Sequence, residues 1–128
     1  SALTRHTLVN VAISRPAQAA VLAALRETPP SYYESVRDTV RGRIDDFTAA
    51  LDDIGAEYTE PEGAFYVLAR FEGFPGSVEN VQRLIDDAGV AAMPGAAFGE
   101  ASEEWIRFTL CTDRVDEAAD RLAAYFNR

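Results

Sequence analysis

Apolar positions along the chain change period several times, and each change marks an element. Leu8, Val9, Val11 and Ile13 form an apolar stretch without helical spacing. A run of alanine and leucine follows Ser14, with Pro16 in its first turn, where a missing N–H costs no helical hydrogen bond. This predicts a helix from about Ser14 to Arg26, its larger apolar residues being Val21, Leu22 and Leu25, stopped by Pro29-Pro30. Ser31 and Glu34 have the spacing of a capping box. After them Val36, Val40, Ile44, Phe47, Leu51 and Ile54 recur every three or four residues, one stripe on a long helix that Gly55 ends. At about 1.5 Å per residue such a helix spans roughly 35 Å.

The period then shortens. Ala64–Arg70 is rich in aromatic and branched residues and reads as a strand between the turn signals Pro61-Glu62-Gly63 and Gly73–Gly76. Ser77 is placed to cap a short helix carrying Val78, Val81, Leu84, Ile85 and Ala88, with Gly89 as its stop. Val90–Met93 reads as a short strand broken by Pro94-Gly95. Trp105–Thr112 alternates, with Ile106, Phe108 and Leu110 on one face and Trp105, Arg107, Thr109 and Cys111 on the other. Asp113 is placed to cap a last helix holding Val115, Ala118, Ala119, Leu122 and Phe126. The expected fold is α+β: a small three-stranded, mainly antiparallel sheet with helices packed on one face, preceded by a long helix. No internal repeat is visible, and a single domain over 1–128 is expected.

Composition narrows the chemistry. The chain has 128 residues, 48% of them hydrophobic, and a formal charge of -9. All 12 basic residues are arginines, so Schiff-base, P-loop and general-base lysines are excluded. A lone Cys111 and a lone His6 exclude an internal disulfide, a multi-thiolate metal site and a two-histidine metal site. Such a composition argues against a self-sufficient enzyme. The acidic balance, without a basic stripe, argues against nucleic acid. No apolar run approaches the roughly 20 residues of a membrane span, and the N-terminus lacks a secretory pattern, so the cytoplasm is the expected compartment. Acidic residues without lysine also suit a high-salt, halophilic cytoplasm, where ions screen carboxylate repulsion.

Few residues carry a chemical signal. Arg107, mid-strand and opposite the apolar face, is either a surface arginine paired with an acidic neighbour or a planar fork gripping a carboxylate. Met93–Gly99, with Pro94, Gly95, Phe98 and Gly99, is either a plain connection or a rigid loop that brings backbone near a ligand. Cys111 reads as packing rather than as a nucleophile paired with His6. Tyr32, Tyr33, Tyr58, Tyr66 and Tyr125 read as core or helix-stripe residues. Asp45-Asp46, Asp52-Asp53 and Asp86-Asp87 read as solvated helix faces.

Three segments occur together in order: Pro61-Glu-Gly-Ala-Phe-Tyr-Val67, Ala88-Gly-Val-Ala-Ala-Met-Pro-Gly-Ala-Ala-Phe-Gly99 and Trp105-Ile-Arg-Phe-Thr-Leu110. In these the chain resembles the C-terminal part of class I/II aminotransferases, the fold-type I enzymes that use pyridoxal phosphate (PLP). The resemblance implies that residues 1–30 follow a large domain lying upstream, 31–55 form the connecting helix and 56–128 the small-domain core. It implies that Arg107 binds the substrate α-carboxylate, with Gly95 and Phe98 near the mouth of the site. It also implies amino acid and 2-oxo acid substrates, of the aspartate and 2-oxoglutarate type among others, and a homodimer when intact. PLP would be held by the full-length enzyme and not by this piece, which is expected to be inactive alone and to hold no catalytic residue and no metal. The run Leu8–Ile13 is expected to pack on the upstream domain. A fold-type I lyase or decarboxylase, or a stand-alone amino-acid-binding regulatory module, are the rival readings.

Overall fold

The computed structural model describes residues 13–127. His6 and most of the apolar run Leu8–Ile13 fall outside them. Two compact units divide between Val36 and Arg37.

In the first unit, α1 covers Arg15–Glu27. The Ser14 hydroxyl accepts from the Ala17 N–H at 3.4 Å, and proline occupies the first turn, as the sequence predicts. None of its residues is buried within this unit. Helix α2, Pro30–Asp53, begins here and runs on through the second unit. It starts one residue earlier than the expected Ser31 cap, because Pro30 has the φ that a first helical residue needs. Ser31 therefore lies inside the helix, and no Ser31–Glu34 capping box forms. Tyr32 N–H donates instead to the Pro29 carbonyl at 3.0 Å.

The second unit is built on a four-stranded sheet in the order β1-β2-β4-β3, every neighbouring pair antiparallel. Its strands are β1 (Glu57–Tyr58), β2 (Tyr66–Arg70), β3 (Met93–Pro94) and β4 (Ile106–Thr109). Three strands were expected from the pattern; β1 is the fourth, and two residues are too few to show a period. β3 lies three residues later than the expected Val90–Met93 start and includes Pro94, which an edge strand tolerates because its N–H side has no partner to satisfy.

Helix α3 (Val78–Arg83) is capped by the Ser77 hydroxyl, which accepts from the Asn80 N–H. It widens into a π turn over Leu84–Ala88 before Gly89, at φ +67°, reverses the chain. Helix α4 (Val115–Phe126) starts at Val115. Asp113 stands one position too early to cap it, and no side chain caps the Arg114 position. The Thr112 hydroxyl accepts the Arg114 N–H just ahead of the helix.

Pairing of Val67 with Phe108 and of Ala69 with Ile106 puts all four on one sheet face. Phe47 and Leu51 of α2, Leu84 of the π turn, and Val115, Ala119 and Leu122 of α4 join them in one buried cluster. Burying each large apolar side chain contributes about 1.5–3 kcal/mol, which is what holds the helices to that face. Phe47 and Phe108 meet with ring centroids 5.2 Å apart, and Phe71 stacks on Phe126 at 4.2 Å. The opposite face, carrying Tyr66, Leu68 and Arg70 of β2 and Arg107 and Thr109 of β4, holds no fully buried residue. Only one face of the sheet is closed within this unit.

Candidate functional site

Arg107 sits at the centre of the open face. Its register partners are Leu68 on β2 and Met93 on β3. Tyr66 is paired with Thr109, two residues along β4, and so occupies the diagonal position from which an aromatic ring reaches a cross-strand neighbour. Ala64, just before β2, holds φ +60°, a left-handed conformation that side chains seldom adopt, at the corner that delivers Phe65 and Tyr66. From the other side, the chain leaves β3 into a 3-10 turn, Gly95–Phe98, which presents Phe98.

The glycine at the head of that turn has a packing reason. Its N–H donates to the Trp105 carbonyl at 2.8 Å. A Cβ there would lie 1.9 Å from the Ser102 carbonyl oxygen and 2.2 Å from that of Trp105. Gly95 lets two backbone segments touch. Gly99, at φ +112°, closes the turn in a region that favours glycine.

The guanidinium carbon of Arg107 lies 4.4 Å from the centre of the Tyr66 ring and 4.2 Å from that of Phe98. Its Nε is buried without a hydrogen-bond partner. The ion pairs among the described residues join Arg70 to Glu57 and Arg114 and Arg121 to Glu117, and none involves Arg107. The surface-pair alternative for Arg107 is therefore not what the structure contains. A partly buried, planar, permanently charged fork with unused donors is suited to a carboxylate, which it can hold through two parallel hydrogen bonds.

The other candidates are dispersed. Cys111 follows the end of β4 and is exposed, not packed as expected. Asp45, Asp46, Asp52, Asp53, Asp86 and Asp87 are all exposed, as the pattern of solvated helix faces required. Tyr58 and Tyr125 pack against the core as expected, whereas Tyr32 and Tyr33 are exposed. Tyr66 corrects the sequence reading. It belongs to the open face beside Arg107 and is 38% exposed, and the alternation of Tyr66, Leu68 and Arg70 against Val67 and Ala69 carried that signal.

A separate cleft of about 380 Å³ opens on the helix side, lined by Val90, Phe108, Leu110, Arg114 and Arg121 among others. Arg114 and Arg121 there are engaged by Glu117. Hydrogen bonding from Arg114 above all holds that carboxyl below its ordinary range. The cations of this cleft are already engaged by a carboxylate, so Arg107 remains the better candidate for an anionic ligand.

Fold and site together define an α+β domain whose half-open sheet offers one uncommitted arginine. The chain belongs to the family of class I and II aminotransferases, whose pattern matches residues 2–123. It is 37% identical over 110 residues to an LL-diaminopimelate aminotransferase of Oleidesulfovibrio alaskensis, covering 84% of this chain and 28% of that protein. To the aspartate aminotransferase of Thermotoga maritima it is 33% identical over 115 residues, covering 90% of this chain and 29% of that one. A crystal structure of the Thermotoga maritima aspartate aminotransferase superposes with a TM-score of 0.80 at 31% identity, over 98% of this chain and 32% of that chain. The aspartate aminotransferase of Thermus thermophilus, solved with maleate, superposes with a TM-score of 0.81 at 29% identity, over 94% of this chain and 32% of that chain. The α+β fold thus matches aminotransferase C-terminal domains, as the three segments implied. The chain spans between about a quarter and a third of the length of these relatives.

Proposed function

We propose that this chain is the C-terminal small domain of a PLP-dependent aminotransferase and that Arg107 binds the α-carboxylate of the amino acid or 2-oxo acid substrate. The observation that carries this reading is the guanidinium of Arg107. It stands on the open sheet face with a buried, unpaired Nε and no ion-pair partner among the described residues. A two-point grip on the carboxylate fixes the orientation of the substrate's Cα, which is the positioning contribution that an amino-group transfer requires of this part of the protein. Phe98 lies beside Arg107 at this substrate site, and Gly95 contributes by fixing the loop that carries Phe98. Maleate, the ligand in the Thermus thermophilus structure, is itself a dicarboxylate.

The chain's own residues do not make a PLP site. The cofactor needs a lysine amine for its imine, and all 12 basic residues here are arginines. PLP supplies an electron-accepting ring; the residues that hold it belong to the rest of the enzyme, and its active form is a homodimer in this reading. This chain alone is inactive. When it is mixed with PLP and reduced with borohydride, its intact mass shows no pyridoxyl adduct on a side chain, and a stable side-chain adduct would contradict the reading. The acidic, lysine-free composition suits a salt-rich cytoplasm and has no part in the substrate site.

Substituting Arg107 by alanine in the full-length enzyme tests the carboxylate assignment. Affinity for the amino acid falls while the absorbance of bound PLP stays unchanged.

A further inference from the structure

An arginine that waits for a carboxylate faces two difficulties. Its flexible side chain loses rotamer freedom on binding, and in a chain with 21 acidic residues it is exposed to capture by a neighbouring carboxylate. Two aromatic faces answer both. The guanidinium carbon lies over the Tyr66 and Phe98 rings, 4.4 and 4.2 Å from their centres, so two ring faces attract the cation without using a single N–H. With Nε buried, the terminal nitrogens form the edge left for a ligand. The rings come from two elements that only the fold brings together, β2 and the turn after β3.

We infer that Tyr66 and Phe98 are positioning residues that clamp the Arg107 guanidinium flat, so that its terminal edge meets the substrate carboxylate already aligned. The inference rests on the reading of Arg107 as the carboxylate-binding group. The ring faces carry the effect, and the Tyr66 hydroxyl does not contribute. Neither ring touches the reacting atoms, so the effect falls on binding more than on turnover.

The test uses the full-length, PLP-loaded enzyme and two readouts: steady-state kinetics with the amino acid, and spectroscopic titration with maleate, which cannot react. Tyr66→Leu and Phe98→Leu each raise KM and the maleate Kd by about two- to fivefold, the scale of a cation–aromatic contact at a partly exposed site. In both variants kcat changes by less than about twofold, because only the carboxylate grip has been weakened. Tyr66→Phe and Phe98→Tyr keep the ring faces and keep wild-type affinity. A further comparison does not depend on the folding of either single leucine variant. Guanidinium ion added to Arg107→Ala partly restores maleate binding, and Arg107→Ala/Phe98→Leu shows no such rescue. If Arg107→Ala weakens maleate binding but the leucine variants bind it like wild type, or if rescue is equal in the two backgrounds, the clamp is overturned and the carboxylate assignment stands. If Arg107→Ala itself leaves maleate binding unchanged, the assignment fails, and the clamp with it.

Discussion

On the proposed carboxylate role, replacing Arg107 with alanine in the full-length enzyme is expected to weaken binding of the amino acid and of a non-reactive dicarboxylate by roughly 30- to 5000-fold. The range converts the about 2–5 kcal/mol lost on truncating one partner of a hydrogen-bonded charge pair. The proposed two-point grip and the formal charge would disappear together. Arg107→Lys keeps the charge but loses the planar fork and its contacts over the Tyr66 and Phe98 rings, and so is expected to recover only part of the affinity. The unfolding midpoint moves little, because Arg107 makes no ion pair to lose and lies on the open face, away from the buried cluster. Titration with maleate and a denaturation curve separate the two effects. Near-wild-type maleate affinity in Arg107→Ala would remove the arginine from the substrate site.

Gly95→Ala is expected to destabilise the fold strongly. A methyl group at this position meets two carbonyl oxygens at 1.9 and 2.2 Å, and both belong to backbone, which cannot swing aside as a side-chain tip can. Either the turn Gly95–Phe98 or the segment Ser102–Trp105 must move, and the hydrogen bond from Gly95 N–H to Trp105 is stretched. A loss of about 3 kcal/mol is expected, at the upper end for overpacking, read as a lower urea midpoint at unchanged slope. The displaced turn also carries Phe98 away from Arg107, so maleate affinity falls as well. Gly42→Ala serves as the control. Gly42 lies within α2 with nothing within 4 Å of a new Cβ, and alanine there stabilises by up to about 1 kcal/mol. An unchanged midpoint in Gly95→Ala would show that the two backbones are not in contact.

Much of the architecture was legible because it is encoded locally. The helix start near Ser14, the Ser77 cap, the stripe ending at Gly55 and the alternation from Trp105 each depend on residues a few positions apart. The misplacements were local too. Pro30 outcompeted Ser31 for the start of α2, and Asp113 fell one residue short of α4. In the first case the backbone preference of proline displaced a plausible side-chain cap.

Sequence alone, then, determined the helices, three of the four strands, the apolar face of β4 and the absence of lysine chemistry. It also singled out Arg107, once three short segments were seen to lie in a familiar order. It left open whether that arginine was committed to an acidic neighbour, and it placed Tyr66 wrongly. Tertiary structure decided both, because antiparallel register sets Tyr66 on the diagonal of Arg107 across β2 and β4, while a turn made possible by Gly95 brings in Phe98. Pairings between residues about forty positions apart leave no periodic trace in the chain. They follow from which strand lies beside which, and that is chosen by the burial of the whole core at once.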